Sequence, residues 1–538
     1  MTRERLYLFD TTLRDGQQTP GVDFSVADKI AVAKMLDELG IDYVEGGYPG
    51  ANPTDTEFFA EKRTKNAAFV GFGMTKRAGV SVANDPGLAA LHQSATDAIC
   101  YVAKSWDYHV KVALGITNEE NLEGIDESVR ATVETGREAM VDCEHFFDGY
   151  KANPEFALAC AKTALEAGAR WVVLCDTNGG TQPDEVREIV AGVISAGVPG
   201  DRLGIHAHDD TGQAVANSLA AVDAGARQIQ GTLNGIGERC GNANLTALIP
   251  TLALKSYYAE RFETGIDAEQ LHGLTRLSLR FDELLNRVPD SQMPYVGASA
   301  FATKAGIHAS AILKDPATYE HVEPETVGNR RRVMVSDQGG KSNFINELAR
   351  MGIEVAKDDP ALDRLISIVK ERESQGWAYE AAEASFELLA RRTLGRVSDF
   401  FKVDSYRTQV ERRFNARGEL ITMSEAVVKV EIDGERLLSV AEGNGPVNAL
   451  DEALRKDLGK YQETIEDLEL VDFKVRILNG GTEAVTRVLI ESRDGEGNRW
   501  MTVGVSSNII DASFEALLDS ITFKLMKASA ETARSAAE

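Results

Sequence analysis

Cysteine is scarce and scattered: five residues, at 100, 143, 160, 175 and 240, with no Cys-x-x-Cys spacing. An odd, dispersed set argues against a disulfide framework and against a four-cysteine zinc site. Cations are also short, 58 Lys and Arg against 84 Asp and Glu, for a net charge of −26. Nucleic acid is not an expected partner, because phosphate binding depends on clustered Lys and Arg. The one dense basic run, Arg330-Arg331-Arg332, is too short to alter this. No apolar stretch reaches the roughly 18 residues that a membrane crossing needs, and Met1 to Leu6 holds no apolar signal region. The expected setting is a reducing cytoplasm, with no membrane partner.

What is present is a chain of 538 residues, too long for one core. Short apolar runs alternate with amphipathic stretches from residue 6 to about 250. Candidate strands are Leu6 to Asp10, Tyr43 to Gly46, Phe69 to Gly73, Ala98 to Ala103, Ala139 to Cys143, Trp171 to Asp176, Leu203 to His208 and Gln228 to Thr232. Ser25 to Leu39, with Ser25 as N-cap and Gly40 as stop, reads as a helix, as do Ala157 to Glu166 and Asp184 to Ser195. Eight such units predict a closed (β/α)₈ TIM barrel. An open doubly wound sheet is the alternative, but no Gly-x-Gly-x-x-Gly follows the first strand. Residues 276–400 read as a helical linker with a loop-rich stretch, Met293 to Asn343. Beyond 401 strands return, and the chain repeats itself without a gap: Gly434 through Leu454 aligns with Gly497 through Leu517. This predicts a small α+β domain with a pseudo-twofold repeat, able to bind an effector or another subunit. The domain boundaries expected are therefore 1–275, 276–400 and 401–538.

Polar residues fall right after the candidate strands, where barrel enzymes build their sites. His206 and His208 are two apart on a strand, so both imidazoles face one way. With Asp15 and Asn242 they would offer two nitrogens, a carboxylate oxygen and an amide oxygen. That set suits Mg²⁺, Mn²⁺ or Zn²⁺ with two positions left for a chelating 2-oxo acid. Arg14 could stabilise charge developing on the ketone oxygen. Glu144, beside Phe146 and Phe147, is a candidate general acid or base. Thr177 could bind a substrate carboxylate or cap a helix. Asp210 is expected to cap the helix from Thr211, Glu238 and Arg239 to pair within their glycine turn, and Cys240 to be packed rather than nucleophilic.

The run Asp10-Thr11-Thr12-Leu13-Arg14-Asp15-Gly16, His206-x-His208 and Gly235-x-Gly237-Glu238-Arg239-x-Gly241-Asn242 together resemble the family of 2-isopropylmalate, homocitrate and citramalate synthases. The likeness extends through Lys304-Ala305-Gly306-Ile307-His308 to the C-terminal repeat, which resembles that family's regulatory domain. It implies a metal-dependent acyltransferase that condenses acetyl-CoA with a 2-oxo acid, with Asp15, His206, His208 and Asn242 on the metal and Arg14, Glu144 and Thr177 lining the site. It further implies a homodimer in which His308 and Tyr319 reach the neighbouring subunit's site. Glu45-Gly46-Gly47-Tyr48-Pro49-Gly50-Ala51-Asn52-Pro53, Asp472 to Ile477 and Gly480-Gly481-Thr482 look most like the citramalate-forming branch. Pyruvate is then the expected acceptor and isoleucine the expected effector. Two rivals are 2-oxoisovalerate as acceptor, two methyl groups larger and separated by roughly 1–3 kcal/mol, and an acyl-CoA lyase, which would lack the repeat domain.

Overall fold

The computed structural model describes residues 3–303, 308, 311–312, 314–333, 341–397, 400–478 and 484–535. Lys304 to Ile307 and Gly480 to Thr482, on which part of the resemblance rests, lie outside them. Eight parallel strands close into a barrel: β1 (Tyr7–Asp10), β2 (Tyr43–Glu45), β3 (Ala68–Met74), β4 (Ala98–Lys104), β5 (Glu138–Glu144), β6 (Trp171–Asp176), β7 (Leu203–Ala207) and β8 (Gln228–Gly231). Each coincides with a strand expected from the sequence. Closure comes from β1 against β8, with Tyr7 opposite Gln228 and Asp10 opposite Gly231. Ser25 and Asp28 form a capping box on α1 (Val26–Leu39), which stops at Gly40 with φ 89°.

The barrel interior is layered by the two-residue period of its strands. Phe9, Tyr43, Val70, Ala98, Cys100, Met140, Trp171, Val173 and Cys175 form an apolar cluster inside it. Two residues further along their strands, Tyr43 and Met140 give way to Glu45 and Asp142, both buried. One further step takes β5 to Glu144 at its carboxyl end. The apolar layer fills the bottom of the barrel, and charge collects at its mouth.

The chain divides into two compact units, residues 1–301 with 321–331, and 302–320 with 332–538. Within the second, β9 (Lys402–Phe414), β10 (Leu420–Ile432) and β11 (Glu435–Gly443) form an antiparallel sheet followed by α2 (Pro446–Lys456). Strands β12 (Glu469–Ile477), β13 (Thr486–Arg493) and β14 (Arg499–Ser506) repeat the arrangement, followed by α3 (Ile509–Ser535). Ala449, Ala453 and Leu454 of α2 share one core with their repeat equivalents Ala512, Ala516 and Leu517 of α3. The helices Lys341–Arg350, Pro360–Ser374 and Glu383–Thr393 belong to the same unit: Phe344, Leu365 and Phe386 bury against Val503 of β14. Among the described residues no helix is long and apolar enough to cross a membrane.

Candidate active site

The strand ends bring Asp15, His206, His208 and Asn242 together. Asp15 Oδ2 lies 3.0 Å from His206 Nε2 and 3.7 Å from His208 Nε2, and the two imidazole nitrogens are 3.3 Å apart. Asn242 Nδ2 donates to Asp15 Oδ2 at 2.8 Å and lies 3.2 Å from His206 Nε2. All four are buried. Asn242 Oδ1 and His208 Nδ1 are buried without a hydrogen-bond partner among the described residues. Turning the Asn242 amide over would aim its orphaned oxygen at the same point as the carboxylate and imidazoles. The donor set therefore fits a divalent cation of mixed oxygen and nitrogen preference.

Local structure explains the convergence. Asp15 and Arg14 sit in the tight turn after β1, where the amides of Arg14, Asp15 and Gly16 all donate to Thr11 O. Gly237 packs so tightly against Asn242 that a Cβ would stand 1.8 Å from Asn242 Oδ1.

Electrostatics follow from burial and charge. Burial works against ionisation of Asp15, but Arg14 and His206 outweigh it and hold its carboxyl well below the usual range. Burial likewise opposes the charged Arg14 guanidinium, and Glu45, Asp15 and Asp142 more than offset it. Arg14 Nε donates to Glu45 at 2.7 Å, with its other nitrogens 3.5 Å from Asp15 and 3.8 Å from Asp142, over the Phe72 ring. Burial pushes Glu45 up to about 7 despite that contact. For His206, burial is outweighed by Asp15 and the imidazole is raised. Burial, with His206 beside it, pushes His208 down to about 4.

Other expectations meet different surroundings. Glu144 pairs with Lys104, its register partner on β4, rather than being shielded by the phenylalanines that follow it. Phe146 and Phe147 point into the hydrophobic core instead. Thr177 Oγ1 accepts from His145 N at 2.8 Å, at the start of the helix Phe146–Ala152. Asp209, not Asp210, caps the helix after Thr211, accepting from Ala214 N at 2.8 Å. Asp210 instead takes a two-pronged contact from Arg239 at 2.7 and 2.9 Å, closer than the Glu238 pair at 3.3 Å. Cys240 is exposed, because its turn leaves it outside the core. His308 and Tyr319, in the second unit, are both exposed and set their rings 4.4 Å apart.

The structure adds Glu45, Lys104, Asp142 and Gln230 to the mouth. Their signal was a polar residue at the inward parity of a buried strand. A cleft of about 360 Å³ opens beyond the ends of β2 to β4, lined by Tyr48, Lys76, Arg77, Leu114 and Asn121 among others.

A barrel with a cation-ready cluster at its carboxyl-end face defines the class. The HMGL-like family profile matches residues 5–277, the homocitrate synthase post-HMGL domain-like profile 295–376, and the LeuA allosteric (dimerisation) domain profile 380–525. The chain is 49% identical to the (R)-citramalate synthase of Aquifex aeolicus, over 97% of this chain and 98% of that one. It is 49% identical to the (R)-citramalate synthase of Streptomyces coelicolor, over 98% and 97%. A probable 2-isopropylmalate synthase of Methanopyrus kandleri is 34% identical, over 96% and 97%. The chain belongs to the (R)-citramalate synthase family, within the HMGL-like group.

Proposed function

We propose that this chain condenses acetyl-CoA with pyruvate and hydrolyses the thioester, releasing CoA and (R)-citramalate. The observation that carries the reading is the cluster of Asp15, His206, His208 and Asn242, drawn from three distant segments so that Asp15 lies 2.8–3.7 Å from each of the other three. Identity to citramalate synthases over nearly the whole chain supports the choice of pyruvate.

Those four residues would hold Mn²⁺, Mg²⁺ or Zn²⁺, and such an ion supplies Lewis-acid polarisation of a keto group. Arg14 stays charged among its carboxylates and takes up negative charge developing on the keto oxygen. Glu144, at the mouth and paired with Lys104, is assigned to the proton that leaves the acetyl methyl group. The resulting carbanion forms the carbon–carbon bond at the keto carbon; water then adds to the thioester and the carbon–sulfur bond breaks. A water or tyrosine acting through His308 is the competing assignment for the base. Thr177 keeps its hydroxyl proton free for a substrate carboxylate while accepting from His145. The cleft lined by Lys76 and Arg77, with Asp85 and Glu120 beside them, offers room for CoA.

His308 and Tyr319, exposed as a pair, are assigned to the site of a partner subunit in a homodimer. Isoleucine is assigned as the effector of the C-terminal module. The test is CoA release from acetyl-CoA with Mn²⁺, comparing pyruvate, 2-oxoisovalerate and 2-oxoglutarate. Preference for pyruvate is expected. Preference for 2-oxoisovalerate would move the chain to isopropylmalate synthesis, and silence with all three would remove the condensation.

A further inference from the structure

Gln230 lies wholly buried on β8, facing into the barrel below the ligand cluster. Its Oε1 is 2.8 Å from His206 Nδ1, and its Nε2 donates to Asp142 Oδ1 at 3.0 Å. Asp142 in turn places Oδ2 3.8 Å from an Arg14 nitrogen. We infer that Gln230 is a positioning residue, which fixes the tautomer and ring orientation of His206 and ties that ligand to the Asp142–Arg14 pair.

The direction of the amide decides the matter. A carboxylate can only accept, so the amide nitrogen belongs on the Asp142 side and the oxygen is left facing His206. An oxygen there needs a donor, so His206 must carry a proton on Nδ1. Its Nε2, 3.0 Å from Asp15, is then the nitrogen that meets a cation. Gln228 provides a control within the fold. It faces inward two residues earlier on the same strand, yet neither of its amide atoms has a hydrogen-bond partner among the described residues. An inward glutamine in this barrel is not satisfied by default; Gln230 is satisfied at both ends.

The inference rests on the metal reading above, so the test separates the two. Gln230→Met keeps the length of the side chain and removes both hydrogen bonds. Isothermal titration with Mn²⁺ should show affinity falling about 10- to 100-fold. The kcat should fall with it while the KM for acetyl-CoA is unmoved. Gln230→Glu keeps an acceptor for His206 and should restore Mn²⁺ affinity. By setting a second carboxylate against Asp142 it should leave kcat low. Should the methionine variant not fold, Gln230→Asn, too short to span both partners, should show the same loss of affinity. His208→Ala is titrated alongside. If it loses Mn²⁺ while Gln230→Met and Gln230→Asn bind as the parent does, the relay is overturned and the metal reading stands. If His208→Ala also binds undiminished, both fall.

Discussion

Asn242 and Asp15, 227 positions apart in the chain, meet at 2.8 Å. The contact depends on Gly237, which has no room for a side chain against the Asn242 amide. Gly237→Ala should displace Asn242 by forcing a methyl into that space. The expected result is a tenfold or greater loss of Mn²⁺ affinity and a matching loss of turnover, with circular dichroism unchanged. Parent-like Mn²⁺ affinity would show that the amide is not a ligand.

Removing one of the proposed ligands outright is the stronger version. Asp15→Asn and His208→Ala should abolish turnover and strip bound metal while melting cooperatively. Full activity in either would remove the ligand assignment.

Cation binding should release a proton. His206 is raised by Asp15 beside it, so at mildly acid pH it carries a proton that an incoming ion must displace. His208, held at about 4, is already neutral there. Titration at about pH 6 in two buffers of different ionisation enthalpy should report about one proton released per ion. Affinity should weaken as pH falls through the raised His206 value. No proton release at that pH would contradict it.

The geometry of charge at the mouth should matter as much as its sign. Arg14→Lys should lower kcat by about 10²–10³-fold, since one ammonium cannot reproduce the guanidinium's contacts with Glu45, Asp15 and Asp142. Glu144→Gln should lower kcat by about 10²–10⁴-fold if that carboxylate moves the methyl proton. A kcat within a fewfold of the parent would pass the role to the group working through His308.

Asp10 gives a pH dependence of stability. Burial pushes its carboxyl up to about 7, so the folded chain keeps a proton that the unfolded chain loses near its ordinary value of 3.8. The raised group therefore costs nothing below about pH 4. Stability then falls by up to about 1.4 kcal/mol per pH unit as pH rises towards 7, and levels off beyond it. Asp10→Asn should flatten that part of a urea-unfolding series; an unchanged slope would place the effect elsewhere.

All eight barrel strands were legible because each is a short apolar run set between helical periods and glycine stops. The meeting of Asp15, His206, His208 and Asn242 was legible for a related reason: they follow those runs directly. Glu45, Asp142 and Gln230 were not, because a polar residue inside a buried strand becomes informative only when the barrel shows which parity faces inward. The Asp209 cap was missed because neighbouring aspartates offer the same chemistry, and only the position of Arg239 separates them. The Lys104–Glu144 pair depends on strand register, which is not written in either strand alone. Helices give way to strands near residue 400, where the sequence places a boundary. The apolar core nevertheless runs through it, from Phe386 to Val503. Truncation near 400 should therefore yield an aggregating product, and isoleucine is better tested by its effect on the melting of the intact chain.

Closure of the barrel between its first and last strands sets an order of events during synthesis. Asp15 leaves the ribosome early and must wait while more than two hundred further residues are made before Asn242 arrives. Until β8 emerges, β1 has one edge open, a template for mispairing with another nascent chain. Ribosome-bound chains ending before residue 228 should thus be protease-sensitive and dependent on chaperones, however stable the finished enzyme is.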